Sequence, residues 1–298
     1  MAKKQTGPAA EEPLRRTCAT MAAHMMLLER FPSFRASQMR LEGATSKRRE
    51  APDDPKKAKL VTIKTVVNVV ANTDEQNVST AQINSQIAAM NKDFRGTNSD
   101  RSQTPDPWKG LVSDTRIQFK IVKVTRTRTS RTSFSHDDGV KRSTGGGIAP
   151  FSPKTHLNLW VCALSGGLLG YAQFPGGPVA TDGVVINYRA FGTMGTAQAP
   201  FNRGRTATHE VGHYLNLRHI WGDTPDCSGS DMVADTPNSA GPNFGTPTFP
   251  VVTCNNGPNG DMFMNYMDYV DDAAMVMFTT QQVVRMRAAL EASRSGLL

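Results

Sequence analysis

The stretch Thr208-His209-Glu210-Val211-Gly212-His213-Tyr214-Leu215-Asn216-Leu217-Arg218-His219 decides the reading of this chain. On a helix, residues four apart share a face, so His209 and His213 offer two imidazoles to one ion. Glu210 lies about 100° round from His209 and about 60° from His213, beside a metal and not among its ligands. A catalytic zinc takes three protein ligands and keeps one position open. His219 supplies the third only if the helix stops and the chain turns back. Asn216 sits where that turn is required, because Asn ranks next to Gly in tolerating the left-handed backbone that ends helices. The bland reading is a helix with unrelated histidines. Against it, half of the six histidines fall within these eleven residues, His209 to His219.

Composition sets the frame. The 298 residues suffice for one large domain plus an extension, and 38% hydrophobic with 20% charged residues reads as globular protein. No stretch approaches the roughly 20 apolar residues of a membrane span. The N-terminal MAKKQTGPAAEEP lacks the apolar core of a secretory signal. Either export takes another route or the signal is absent from this chain. The net charge of +8 hints at nucleic acid, but residues 1–60 hold 13 Lys and Arg against 7 Asp and Glu. The remainder is close to neutral and carries no polyanion footprint. The four cysteines form no CxxC pair, which argues against a zinc ribbon or a thioredoxin-like site. Cys227 and Cys254 flank a loop-rich stretch; a bridge and separate thiols both remain open on spacing alone.

Along the chain, residues 1–15 read as disordered and 17–43 as a helix that Pro32 breaks or kinks. Residues 44–59 read as a charged, cleavable linker. Residue 60 opens a β-branched strand, and Ser79 with Gln82 forms a capping-box signature ahead of a helix over 80–95. A strand follows around 117–121, then a long loop over 126–150, strands at 157–164 and 183–191, and helices near 204–215 and 280–294. The order is that of an α+β protein with a mixed sheet.

With these residues in place, the chain resembles a known group. HExxHxx(G/N)xxH is the metzincin signature, and Asn265-Tyr266-Met267-Asp268-Tyr269 looks like its Met-turn as written in the pappalysin family, which includes cytophagalysin and ulilysin-like enzymes. HIWGD after the third His, the segment Asp231 to Pro237 and the stretch Gly167 to Pro175 are also similar to that family. The resemblance covers about 60–298 well. It implies a twisted mixed sheet of five strands with a backing helix and the active-site helix, then an irregular C-terminal subdomain with a terminal helix. Four strands are evident above, and residues 168–174 are the natural fifth, an edge strand that binds substrate by β-addition through Gly170, Tyr171 and Ala172.

The resemblance also implies roles. The chain is expected to be a secreted zinc endopeptidase acting on protein or peptide substrates, without membrane insertion or nucleic acid. Zinc sits on His209, His213 and His219, and Glu210 takes the proton of zinc-bound water as that water attacks the peptide carbonyl. Tyr269 is the candidate oxyanion donor and Met267 the floor beneath the imidazoles. Cys227 and Cys254 pair as a disulfide. Asp231, Asp235 and Thr236 resemble a calcium loop. Asp271 and Asp272 lie near the wall of a pocket for a basic residue after the scissile bond, with Ala273 where some relatives place a carboxylate. Relatives commonly carry a second bridge where Thr246 and Ala274 stand here, and Lys120 stands where Cys162 would find its partner. Cys162 is therefore expected as a buried free thiol. Residues 1–58 are expected to form an inhibitory pro-region with Cys18 on the zinc, ahead of a catalytic domain over 59–298 whose subdomains meet at 216/217.

Three rivals fare worse. A gluzincin needs a downstream glutamate as third ligand, and only Glu291, in the terminal helix, follows Glu210. An inactive binding homologue sits poorly with an intact Glu210. A nucleic-acid-binding protein rests only on the N-terminal charge.

Overall fold

The computed structural model describes residues 15–50 and 58–298. The readings of residues 1–14 as disordered and of 51–57 as linker lie outside the described residues.

Five strands make one sheet: β1 (Val61–Ala71), β2 (Ile117–Arg128), β3 (Leu157–Cys162), β4 (Gly170–Ala172) and β5 (Val184–Asn187), in the order β2-β1-β3-β5-β4. All neighbours run parallel except β4, which pairs antiparallel with β5. The fifth strand thus comes from the glycine-rich stretch, as expected, and it is an edge. The strand ends that differ most from the sequence reading are those of β2 and β5. β2 runs on through Arg128 because it keeps pairing with β1 to its end, and β5 stops at Asn187, where Tyr188–Ala190 turns as a 3₁₀ helix.

The inner strands are buried on both faces, and alternate residues go to opposite cores. Val67 and Val69 of β1 and Leu157, Leu159 and Val161 of β3 meet Ile83, Ile87, Met90 and Phe94 of α3 (Thr80–Phe94). Val70, Trp160, Cys162 and Val185 point the other way and are covered by Phe134, Val140 and Leu164. The segment read as a long loop is therefore a folded lid on the second face. Cys162 is buried there as a free thiol, as expected.

Ser79 caps α3 by accepting from the Gln82 amide at 3.1 Å. The reciprocal half of the capping box is not made. The Gln82 side chain instead donates to the Phe191 carbonyl at 2.8 Å and the Thr196 hydroxyl at 2.9 Å, fastening the segment after β5. Both halves of such a box form at Thr279 and Gln282, ahead of α6 (Thr280–Ser293). A short helix, α4 (Asp106–Lys109), and the metal-motif helix α5 (Arg205–Tyr214) complete the domain.

The N-terminal region folds as α1 (Thr20–Arg30) and α2 (Pro32–Glu50), with Pro32 at the start of the second helix. The linker reading is corrected for residues 44–50, which are helical. Charge and missing apolar periodicity suggested a linker, but packing decides otherwise: Leu41 and Thr45 are buried, Glu42 forms a two-pronged ion pair with Arg285 of α6, and Arg48 pairs with Glu291. After α5 the chain is irregular to residue 279. The Cys227–Cys254 disulfide forms and closes a 27-residue separation within it.

Candidate metal centre

Helix α5 ends in a Schellman-type cap. The Leu217 amide bonds the Gly212 carbonyl at 2.9 Å, and the Asn216 amide bonds that of His213 at 2.9 Å. Asn216 holds φ +77°, the left-handed turn that the motif demands. The chain doubles back and brings His219 to the other two histidines.

The three Nε2 atoms converge. His213 Nε2 is 3.2 Å from His209 Nε2 and 3.1 Å from His219 Nε2. Each Nδ1 has an acceptor: the Tyr266 carbonyl for His209 at 2.7 Å, the Leu217 carbonyl for His213 at 2.7 Å and Asp223 Oδ1 for His219 at 2.5 Å. Those acceptors fix the proton on Nδ1 and leave three bare Nε2 lone pairs facing one another. Burial, with the neighbouring imidazoles adding, holds His209 and His213 well below their ordinary pKa, so protonation does not relieve the conflict. A divalent cation between them does. Cys18 Sγ joins them, and all four donor atoms lie within 4.8 Å of one another. A set of three imidazoles and one thiol fits zinc.

The Met-turn lies beneath. A Cβ on Gly212 would come within 2.5 Å of Met267 Sδ, so the Gly in this motif admits the Met. Tyr266, next to it, supplies the carbonyl that orients His209.

Residues 16–20 thread along the site. The Leu169 amide donates to the Thr17 carbonyl at 3.1 Å and the Ala19 amide to the Gly170 carbonyl at 3.1 Å, a parallel bridge on the free edge of β4. The Thr20 hydroxyl donates to Glu210 Oε2 at 2.8 Å and accepts from the Ala172 amide at 2.8 Å. Cys18 Sγ is 3.4 Å from the same carboxylate oxygen. Burial pushes the Glu210 carboxyl up to about 7, while Thr20, Cys18 and Arg16 pull it down. Burial and the Glu210 charge push the Cys18 thiol well up. The Tyr269 hydroxyl donates to the Cys18 carbonyl at 3.4 Å. Gly170 is the only residue type its place allows, since a Cβ there would meet Glu210 Cγ at 2.9 Å.

Arg16 is buried and fully engaged. It pairs with Asp272 Oδ1 at 2.6 Å and donates to the Thr206 hydroxyl at 3.0 Å and the Val270 carbonyl at 3.2 Å. Asp272 Oδ2 accepts from the Arg203 and Arg205 amides at the start of α5. Asp271 is half-buried and makes no bond to Arg16 in this arrangement. Of the edge-strand residues, Tyr171 turns its ring to the second core, under the Lys141 ammonium 4.8 Å from its centroid, so only its main chain faces the cleft side of the sheet edge.

The loop expected to hold calcium is only partly gathered. The Thr236 hydroxyl donates to Asp231 Oδ2 at 2.7 Å, and the Val233 amide to Oδ1 at 3.0 Å. Asp235 turns away to cap α6, accepting from the Thr279 hydroxyl at 2.6 Å and the Gln281 amide at 2.9 Å. Its carboxylate is committed to a helix N-terminus, where a negative charge is favoured, while Asp231 and Thr236 of the expected set stay in contact.

Sequence reasoning missed Arg16, Thr20, Trp221 and Asp223. Nothing in Arg16-Thr17-Cys18-Ala19-Thr20 marks two of these as contact residues. Trp221 and Asp223 lay in plain view in HIWGD, four residues or fewer beyond His219.

Comparison with known proteins places the chain. The family model described as pregnancy-associated plasma protein-A matches residues 151–291. An extracellular metalloprotease of Arthroderma benhamiae is 33% identical over 245 residues, covering 79% of this chain and 80% of that protein. One of Arthroderma otae is 31% identical over 244 residues, with the same coverage. Among solved structures, mature mirolysin of Tannerella forsythia in complex with a cleaved peptide is 48% identical, with a TM-score of 0.75 over 77% of this chain and 91% of that one. A mutant of Tannerella forsythia promirolysin is 41% identical, with a TM-score of 0.84 over 95% of this chain and 97% of that one. The chain belongs to the pregnancy-associated plasma protein-A family of metzincin proteases and is a metalloendopeptidase.

Proposed function

We propose that this chain is a secreted zinc endopeptidase held latent by its own N-terminal region. Residues 1–58 are the pro-region and 59–298 the catalytic domain, with subdomains 59–216 and 217–298. The observation that carries the reading is the convergence of three bare Nε2 atoms with Cys18 Sγ beside Glu210. The promirolysin match supports the division, since it spans 95% of the chain where that to mature mirolysin spans 77%. The extracellular relatives support secretion.

A zinc ion held by His209, His213 and His219 supplies Lewis-acid polarisation of water and of the scissile carbonyl. Substrate lies extended along Gly170–Ala172, where Thr17 and Ala19 now bond. Glu210 Oε2 accepts the proton of the attacking water and returns it to the departing amine. Tyr269 donates to the carbonyl oxygen, as its hydroxyl now does to that of Cys18. Asp272 receives a basic side chain after the scissile bond, as it now receives Arg16. Calcium binds at Asp231 and Thr236. Release follows cleavage within 51–59, since residues up to Glu50 are helical and docked.

The test is full-length protein against Cys18→Ala. One zinc per chain is expected in both, with chelator-sensitive casein cleavage appearing earlier in the substituted protein. Equal latency would leave only steric blockage; absence of zinc from both would end the reading.

A further inference from the structure

The three imidazoles are not held alike. His209 and His213 stand on α5, and each donates Nδ1–H to a neutral main-chain carbonyl. His219 stands beyond the Asn216 reversal, with no helix beneath it. Its Nδ1 faces the Asp223 carboxylate instead, at 2.5 Å.

The chain is bent to make this contact. The Gly222 amide bonds the His219 carbonyl at 2.9 Å, closing a tight turn. Gly222 and Asp223 then both take left-handed backbone, φ +69° and +60°. A Cβ on Gly222 would lie 2.1 Å from the Ser230 amide nitrogen, so the turn is pressed against the loop that carries Cys227. The Trp221 indole stacks flat on the His219 ring, 4.4 Å between centroids and 7° between planes. Asp223 Oδ2 is buried and has no hydrogen-bond partner among the described residues, so the contact with His219 is the hydrogen bond this carboxylate makes there.

Resting on the zinc reading above, we infer that Asp223 is the positioning residue for His219 and sets the affinity of the site for zinc. Its carboxylate fixes the tautomer with Nε2 bare and puts a negative charge behind the one ligand that no helix holds. Such outer partners raise ligand basicity, and their loss costs about 10- to 100-fold in metal affinity. Trp221 holds the ring plane, and Asp223 holds the rotation within it and the charge. A consequence separates this role from plain packing. In the latent form Cys18 supplies a fourth donor; once it is gone, the charge on Asp223 carries more of the compensation for the cation.

The experiment is zinc affinity by competition with a chromophoric chelator at one pH. It uses the full chain and the Cys18→Ala chain, each as wild type, Asp223→Asn and Asp223→Ala at the second position. Circular dichroism and melting temperature follow folding. Asn keeps an acceptor oxygen in nearly the same shape and removes the charge, so it stays informative if the Ala variant misfolds. The expected result is about 10- to 100-fold weaker zinc binding for Asp223→Ala. Asp223→Asn should fall between it and wild type, and both losses should be larger in the Cys18→Ala background. Affinities of both variants within threefold of wild type would overturn the inference. So would losses that only follow the melting temperature and do not depend on Cys18. Wild-type protein that binds no zinc would instead overturn the reading on which the inference rests.

Discussion

Glu210 carries two loads in this structure. It faces the metal site as the proposed base, and it is the acceptor that anchors Thr20 and Cys18. Burial raises its carboxyl to about 7, against the lowering by Thr20, Cys18 and Arg16. Removing the carboxylate should not disturb the imidazoles, whose Nδ1 partners are Tyr266, Leu217 and Asp223. Glu210→Ala is therefore expected to keep one zinc and the wild-type fold while peptide cleavage falls at least about 100-fold, the usual scale for a lost general base. Zinc content by atomic absorption beside single-peptide kinetics checks it; turnover within tenfold of wild type would rule Glu210 out as the base. Asp272 likewise serves twice, closing the start of α5 and receiving Arg16, so its carboxylate is held from both sides.

At the scale of elements, α1 seats His24 against the cleft. The ring is buried between Phe34 of α2, at 5.3 Å, and Phe174, at 4.8 Å, and its Nδ1 has no hydrogen-bond partner among the described residues. Burial lowers its pKa from 6.5 to about 4; Arg218 adds to the lowering and Asp223 opposes it. The docked state thus binds fewer protons than the released one. Docking is at full strength above pH 6.5 and weakens as pH falls toward 4, by up to about 3 kcal/mol across that window. In Glu210→Ala protein, the protection of the α1 amides, taken as exchange relative to the intrinsic rate at each pH, should be high at pH 7.5 and lower at pH 4.5. His24→Phe should reduce that difference. The same acid sensitivity with and without His24 would assign it to another group.

The elements were unequally legible. Core strands and helices declared themselves by period: Ile83, Ile87, Met90 and Phe94 at helical spacing, and the β-branched run from Val61. The end of α2 did not, because Lys47, Arg48 and Glu50 look like linker until Glu291 of α6 is seen facing Arg48. Gln82 announced a capping box, yet the nearby 188–196 segment competed for its amide and won. In each case a partner distant in sequence overrode a local signal, and no single-chain pattern carries that information. The metal motif was legible because its ligands are local, within eleven residues. Arg16 and Thr20 were not, because their partners lie more than 150 positions away.

For the whole molecule, residues 15–50 pack directly on residues 58–298. The two are joined by the parallel bridge on β4, the Arg16–Asp272 pair buried in the cleft and the α2–α6 contact. Three separate contacts, only one of them at the metal, imply that latency does not rest on the thiol alone. At the metal itself we propose a zinc ion bound by three imidazoles and closed off by Cys18. X-ray absorption at the zinc edge of full-length Glu210→Ala protein, which cannot process itself, tests it most directly. The expected result is three nitrogen scatterers at about 2.0–2.1 Å and one sulfur at about 2.3 Å, with the sulfur replaced by a lighter scatterer in the additional Cys18→Ala variant. A first shell of nitrogen and oxygen only in the full-length protein would contradict it.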